Sequence, residues 1–211
     1  MPRNGRFAAA LATLAWFSVL LQCYLSLQLA VRNGKTVASG LATFFSYFTV
    51  LTNVLVCISL TVILIGGSSA AARFFSRPQF TAGLAANMAF VGLSYHFLLR
   101  NTWDPQGPAL LADSLLHYAM PALYLGYWWF TRPSATLRWP HPLIWSAYPA
   151  LYLAYALVRG NATGTYPYPF IDVAVIGYRD TIFNALRLLL AFLGLAYAFV
   201  ALDRVRARPS A

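Results

Sequence analysis

Two side chains of the sequence form a possible acid–base pair. Asp113 and His117 are four residues apart in an apolar run, so they share one face of a helix. A carboxylate one turn from an imidazole can orient the ring and stabilise its charged form, as general-base catalysis requires. The carboxylate of Asp113 could instead form a structural ion pair with Arg100 or Arg187. The sequence leaves both possibilities open.

A second group of polar side chains follows one face of the run 41–65. Thr49, Thr52 and Asn53 are three and four residues apart there, which is helical spacing. A hydroxyl becomes a nucleophile when a base takes its proton, so either threonine could be the partner of His117. An asparagine in such a run is more typical of hydrogen bonding between helices.

These polar residues fall at similar depths in their helices. Thr49 and His117 lie about eight residues from the predicted outer ends of their runs, Arg187 about six and His96 about three, or about 5–12 Å at ~1.5 Å per residue. We therefore predict one polar pocket near the outer face. Arg100 and Asn184 are expected close to it, as supporting groups.

The elements that must position these residues are six long apolar runs. The chain has 211 residues, of which 60% are hydrophobic and 9% are charged, whereas a soluble domain carries about 25% charged residues. The sequence therefore predicts an all-α polytopic membrane protein, a single six-helix domain over 1–211. The predicted helices are 7–31, 41–65, 80–99, 109–130, 142–158 and 181–201.

The basic residues indicate orientation rather than nucleic-acid binding. Lys and Arg number 15 against five Asp and Glu, but they stand singly or in pairs between apolar runs, as in membrane proteins. Alternate loops hold nine and five of them, so both termini are predicted to be cytoplasmic. The nine are Arg3, Arg6, Arg73, Arg77, Arg132, Arg138, Arg204, Arg206 and Arg208. We predict neither a metal nor another cofactor, and no disulfide, since Cys23 and Cys57 differ in depth.

Two short segments resemble a known family. The segment 45–53, with the sequence FSYFTVLTN, resembles the (Y/F)-(F/L)-T-x-x-(T/N) segment of the androgen-induced protein family, and 115–121, LLHYAMP, resembles its histidine helix. The segments 103–105 and 166–172 are similar to the bacterial branch of these proteins. The family consists of six-helix membrane hydrolases that cleave fatty acid esters of hydroxy fatty acids. The resemblance implies that Thr49 and His117 are the catalytic pair and that the protein lies in a bacterial inner membrane.

The resulting hypothesis is an intramembrane hydrolase that cleaves a lipid carboxylic ester. Thr49 would attack the ester, His117 would act as base and then acid, and Arg100, Asn184 or Arg187 would stabilise the oxyanion or hold a carboxylate. Two other classes remain open. One is a non-catalytic lipid-binding or transport protein, and the other is a haem or metal protein that uses His96 and His117. The sequence gives no oligomeric state.

Overall fold

The computed structural model describes residues 5–131 and 136–206, which are helical throughout apart from short connections and contain no strand. Four helices are long and apolar enough to cross a membrane: Gly5–Arg32, Phe48–Ile65, Pro78–Leu99 and Val173–Val205. The all-α class predicted from the sequence is confirmed for these residues. Of the basic residues used for orientation, Arg3, Arg132 and Arg208 lie outside the described residues.

The contacts within the chain group it into two compact units, Met1–Thr136 and Leu137–Ala211. The prediction of a single domain stays a prediction. The first unit contains α1 (Gly5–Arg32), α2 (Val37–Phe44), α3 (Phe48–Ile65), α4 (Ala70–Phe75), α5 (Pro78–Ser94), a π-helical turn at Tyr95–Leu99, α6 (Pro108–Ser114), a second π-helical turn at Leu115–Ala119, and α7 (Met120–Thr131).

Small residues bring the first helices of this unit together. A face of α1 that includes Ala8, Ala12 and Ala15 is buried, and at helical spacing these small side chains permit close packing. The helix α2 folds back on α1 at Gly40, where an added Cβ would lie 3.0 Å from the Cβ of Ala30.

The predicted helix 41–65 is broken in the structure. The helix α2 ends at Phe44, and α3 begins at Phe48. The hydroxyl of Ser46 donates to the carbonyl of Thr43 at 2.5 Å, a local side-chain bond that competes with helix continuation. Thr49 therefore lies in the first turn of α3, and the prediction of one continuous helix over 41–65 was wrong.

The second unit contains α8 (His141–Trp145), α9 (Ala147–Thr163), a 3₁₀ turn at Pro169–Ile171 and α10 (Val173–Arg206). The predicted helix 142–158 is thus two helices, and the predicted helix 181–201 is longer. Gly177 interrupts α10 with φ 76°, a conformation that favours glycine. The carboxylate of Asp203 accepts the Leu137 N–H at 2.9 Å, which ties the beginning of the unit to the end of α10.

Candidate functional site

Two π-helical turns lie within the first unit, and each contains a histidine. His96 is in Tyr95–Leu99 and His117 is in Leu115–Ala119. Such turns are rare and occur frequently at functional sites. The helix α5 comes close to the second turn at Gly92, where an added Cβ would lie 3.2 Å from the carbonyl oxygen of His117 and 3.4 Å from the Cβ of Pro121. The absence of a side chain at Gly92 permits this approach.

A proline, Pro121, directly follows the cap of the second π turn. The Met120 N–H donates to the carbonyl of Leu115, five residues earlier. The next residue is proline, which has no N–H to offer to the carbonyl of Leu116. The side-chain amide of Asn53 on α3 donates to that carbonyl at 3.4 Å and to the Thr49 carbonyl at 2.9 Å. This is the contact between helices that the sequence predicted for Asn53.

The imidazole of His117 is held by two neighbouring residues. Its Nδ1 lies 3.0 Å from the backbone carbonyl oxygen of Asp113 and 3.1 Å from the carboxylate Oδ1 of the same residue. The ring of Tyr95 stacks on the imidazole with centroids 3.9 Å apart and planes at 16°. The hydroxyl of Tyr95 donates to the other carboxylate oxygen of Asp113. The three side chains therefore form one connected group.

In this geometry, His117 could act as a general base. Asp113 is 4% exposed and Tyr95 is 5% exposed, whereas the side chain of His117 is 17% exposed. Two oxygen acceptors beside Nδ1 favour the tautomer that carries its proton there, which leaves Nε2 as the acceptor. The predicted role of Asp113 in orienting the ring agrees with these contacts. Arg100, the other predicted partner of Asp113 in this unit, lies beside His96 instead.

Tyr95 was not identified from the sequence. It lies on a different helix from Asp113 and His117, so no helical spacing connects the three residues. The one indication in the sequence was Asp113 itself, because a buried carboxylate needs more than one hydrogen-bond donor. Only the packing of α5 against the second π turn identifies the donor.

The two candidate nucleophiles differ in their surroundings. The hydroxyl of Thr52 donates to the carbonyl of Phe48 at 2.7 Å, and the residue has 0% exposure. Thr49 is 6% exposed and lies one turn before Asn53, whose amide connects the Thr49 carbonyl with the residue preceding His117.

His96 belongs to a more exposed cluster. Its Nδ1 lies 3.3 Å from the hydroxyl of Tyr118, and its Nε2 lies 3.2 Å from Nη1 of Arg100. Both ring nitrogens thus have protein neighbours, which does not favour axial ligation of a haem. Within residues 5–131 and 136–206, no three His, Cys, Asp or Glu side chains come together as metal ligands.

Asn184 and Arg187 are neighbours on α10 in the second unit. The Arg187 guanidinium donates to Oδ1 of Asn184 at 3.3 Å, and the Asn184 amide donates to the Phe170 carbonyl at 3.1 Å. With Ile176, Asp180 and Phe183 they line an open recess of about 330 Å³. Their predicted support of the His117 site stays a prediction.

The third histidine, His141, has a structural role at the start of α8. Its Nδ1 accepts the Arg138 N–H at 2.9 Å, and its ring stacks on Trp145 with centroids 5.9 Å apart. Burial, together with the charge of Arg138, lowers the pKa of this imidazole below its usual value of 6.5. His141 is therefore neutral at pH 7, as its acceptor role requires.

Comparison with family models, with curated proteins and with solved structures gives no match for this chain.

Proposed function

We propose that the chain is a six-helix membrane hydrolase that cleaves a lipid carboxylic ester with Thr49 as nucleophile and His117 as general base. The observation that carries the proposal is the group formed by Tyr95, Asp113 and His117. Because the buried carboxylate lies beside Nδ1 and the ring is partly exposed, Nε2 is available to accept a proton. This combination is what an imidazole base needs to activate a hydroxyl.

In the first half of the reaction, Nε2 of His117 takes the proton of the Thr49 hydroxyl as the oxygen attacks the ester carbonyl carbon. The tetrahedral intermediate collapses when the carbon–oxygen bond to the alcohol breaks. His117 then returns the proton to the leaving alkoxide. The products are the free alcohol and an acyl ester on Thr49.

In the second half, a water molecule attacks the acyl ester, and His117 takes its proton. The proton then passes to Thr49 as the carboxylic acid leaves, so the enzyme is regenerated. Asp113 stabilises the imidazolium in both halves, because opposite charges attract strongly where water is scarce. Tyr95 satisfies the second oxygen of Asp113 and fixes the plane of the imidazole.

Within the first unit, Arg100 is available for the oxyanion or for a carboxylate on the substrate. It is exposed and directly follows the π turn that contains Tyr95 and His96. A guanidinium can bind a carboxylate through two parallel hydrogen bonds.

We further propose that the protein lies in a bacterial inner membrane with both termini in the cytoplasm, and that its substrate is a membrane lipid. Four helices of sufficient length and apolarity support the membrane location. The excess of basic residues in alternate loops supports the orientation. Thr163→Cys should react with an impermeant thiol reagent from outside intact cells, and Ser76→Cys should not; the reverse pattern would contradict the orientation.

A lipid-binding protein without catalysis is the second candidate. The observation that favours it is the charged recess on α10, in which Arg187 has a neutral amide as its hydrogen-bond partner.

A fluorophosphonate probe, which phosphonylates activated hydroxyl nucleophiles, tests the hydrolase. We expect the wild-type protein and Thr52→Ala to be labelled, and Thr49→Ala and His117→Ala to remain unlabelled. Thr52→Ala is the matched control because it removes a hydroxyl from the same helix one turn later. Equal labelling of Thr49→Ala and wild type would refute Thr49 as the nucleophile, and no labelling of any variant would favour the lipid-binding protein.

A further inference from the structure

The α10 recess, lined by Ile176, Asp180, Phe183, Asn184 and Arg187, contains two opposite charges. It lies near the beginning of α10, a helix that is long and apolar enough to cross a membrane. Charged groups in such helices are costly and are found paired or in functional sites. The recess therefore requires an explanation independent of the His117 site.

The two charges of the recess do not neutralise each other. Among the described residues, no carboxylate oxygen lies within 4.0 Å of the Arg187 guanidinium. The hydrogen bond of this guanidinium to Oδ1 of Asn184 orients it, but the amide carries no charge. Asn184 is itself fixed through its bond to the carbonyl of Phe170. Arg187 is thus held in place, but no carboxylate among the described residues pairs with it.

The spacing of the charges defines the ligand. Asp180 and Arg187 are seven residues apart, or about 10 Å along the helix axis. Side chains on a helix lean toward its N-terminus, and the bond to Asn184 holds the guanidinium of Arg187 on the side that faces Asp180. A ligand that satisfies both groups carries an anion and a cation a few ångströms apart.

We propose that the α10 recess binds the headgroup of a zwitterionic phospholipid that carries a primary ammonium. Its phosphate pairs with the guanidinium of Arg187, and its ammonium donates hydrogen bonds to Asp180. Ile176 and Phe183 provide apolar surface for the glycerol and the first methylenes. In the proposed orientation Asp180 is closer to the outer surface than Arg187, which matches the order of ammonium and phosphate in an outer-leaflet lipid.

The recess is expected to discriminate between common headgroups. A trimethylated ammonium has no N–H to donate to Asp180, and a headgroup without an amine brings only negative charge next to this carboxylate. Binding at this recess goes beyond ester hydrolysis and does not depend on it.

The test is lipid binding to the purified full-length protein in detergent, measured by native mass spectrometry. Dioleoyl-phosphatidylethanolamine, -phosphatidylcholine and -phosphatidylglycerol are titrated separately. We expect the ethanolamine lipid to bind about tenfold more tightly than the other two, which is about 1.4 kcal/mol, because only its ammonium can donate hydrogen bonds to Asp180.

Asp180→Asn should remove this preference. Arg187→Gln, which removes the partner of the phosphate that all three lipids share, should weaken the binding of all three, and Arg187→Lys should retain part of that binding. Arg204→Gln, which removes a charge near the other end of the same helix, is the matched control and should bind as wild type does. Thr49→Ala should also bind as wild type, so a failure of the hydrolase proposal leaves this test intact. Equal binding of the three lipids, or a preference for phosphatidylglycerol that Asp180→Asn does not alter, would overturn the proposal.

Discussion

The charged side chains at the second π turn of the first unit and those in the α10 recess of the second unit differ in the partners that the protein gives them. Around His117, a buried carboxylate has an imidazole on one oxygen and a tyrosine hydroxyl on the other. In the recess, Asp180 and Arg187 are exposed, and the guanidinium bonds a neutral amide. The first arrangement is built from groups of the protein alone, as preorganised catalysis requires. The second arrangement is completed by a ligand.

The largest effect should come from removing the proposed base or nucleophile. We expect Thr49→Ala and His117→Ala each to reduce ester hydrolysis about thousandfold or more, and the double variant to lose little more, because the two groups act as one unit. Hydrolysis of a lipid ester by the purified variants measures this, with circular dichroism to verify folding. An inactive Thr52→Ala beside an active Thr49→Ala would shift the nucleophile by one helical turn.

Smaller effects should follow from the groups that orient His117. Asp113→Asn should reduce the rate about ten- to hundredfold, since the base survives without its counter-charge. Tyr95→Phe keeps the stacked ring and loses one hydrogen bond worth about 0.5–1.5 kcal/mol, so we expect a two- to tenfold loss.

Nuclear magnetic resonance separates the hydroxyl of Tyr95 from its ring. The ring lies 3.9 Å from the imidazole, so the carbon-bound protons of His117 should show an upfield ring-current shift that Tyr95→Phe preserves and Tyr95→Leu abolishes. Unchanged spectra in Tyr95→Leu would show that the stack does not form.

The close approach of α5 to the second π turn gives a comparison between two glycines. Gly92→Ala places a Cβ 3.2 Å from the backbone oxygen of His117, and such crowding costs about 1–3 kcal/mol. At Gly126 an added Cβ meets nothing within 4 Å, so Gly126→Ala should be neutral or stabilise the helix by up to about 1 kcal/mol. Thermal unfolding should therefore show a lower melting temperature for Gly92→Ala alone, and equal melting temperatures would contradict the packing.

The smallest effect concerns the pH dependence of stability through His141. Its pKa is lowered in the folded protein, so the unfolded chain binds more protons than the native one near pH 6. The stability contribution of the neutral ring is present above the unfolded pKa of about 6.5 and is lost as the pH falls below it. His141→Gln should reduce the decrease in melting temperature between pH 7 and pH 5. If the melting temperature of His141→Gln decreased as much as that of the wild type, other groups would be responsible for the decrease.

Much of the helical architecture could be predicted from local patterns, but several boundaries could not. The run 80–99 corresponds closely to α5 and the first π turn, because apolar length is a property of the segment itself. The break at 45–47 was missed, since the stretch contains neither the glycine nor the proline that usually indicates the end of a helix. A hydrogen bond from Ser46 to the backbone accompanies the break, and hydropathy does not detect such bonds.

The sequence by itself determined that Asp113 and His117 share a face, because four residues make about one helical turn. It also determined that one carbonyl near His117 lacks a helical partner, because a proline at 121 has no N–H to donate. Only the tertiary structure decided that Tyr95 stacks on the imidazole and that Asn53 meets the Leu116 carbonyl. These contacts join different helices, and periodicity within one helix gives the direction of a side chain but not the partner that it meets.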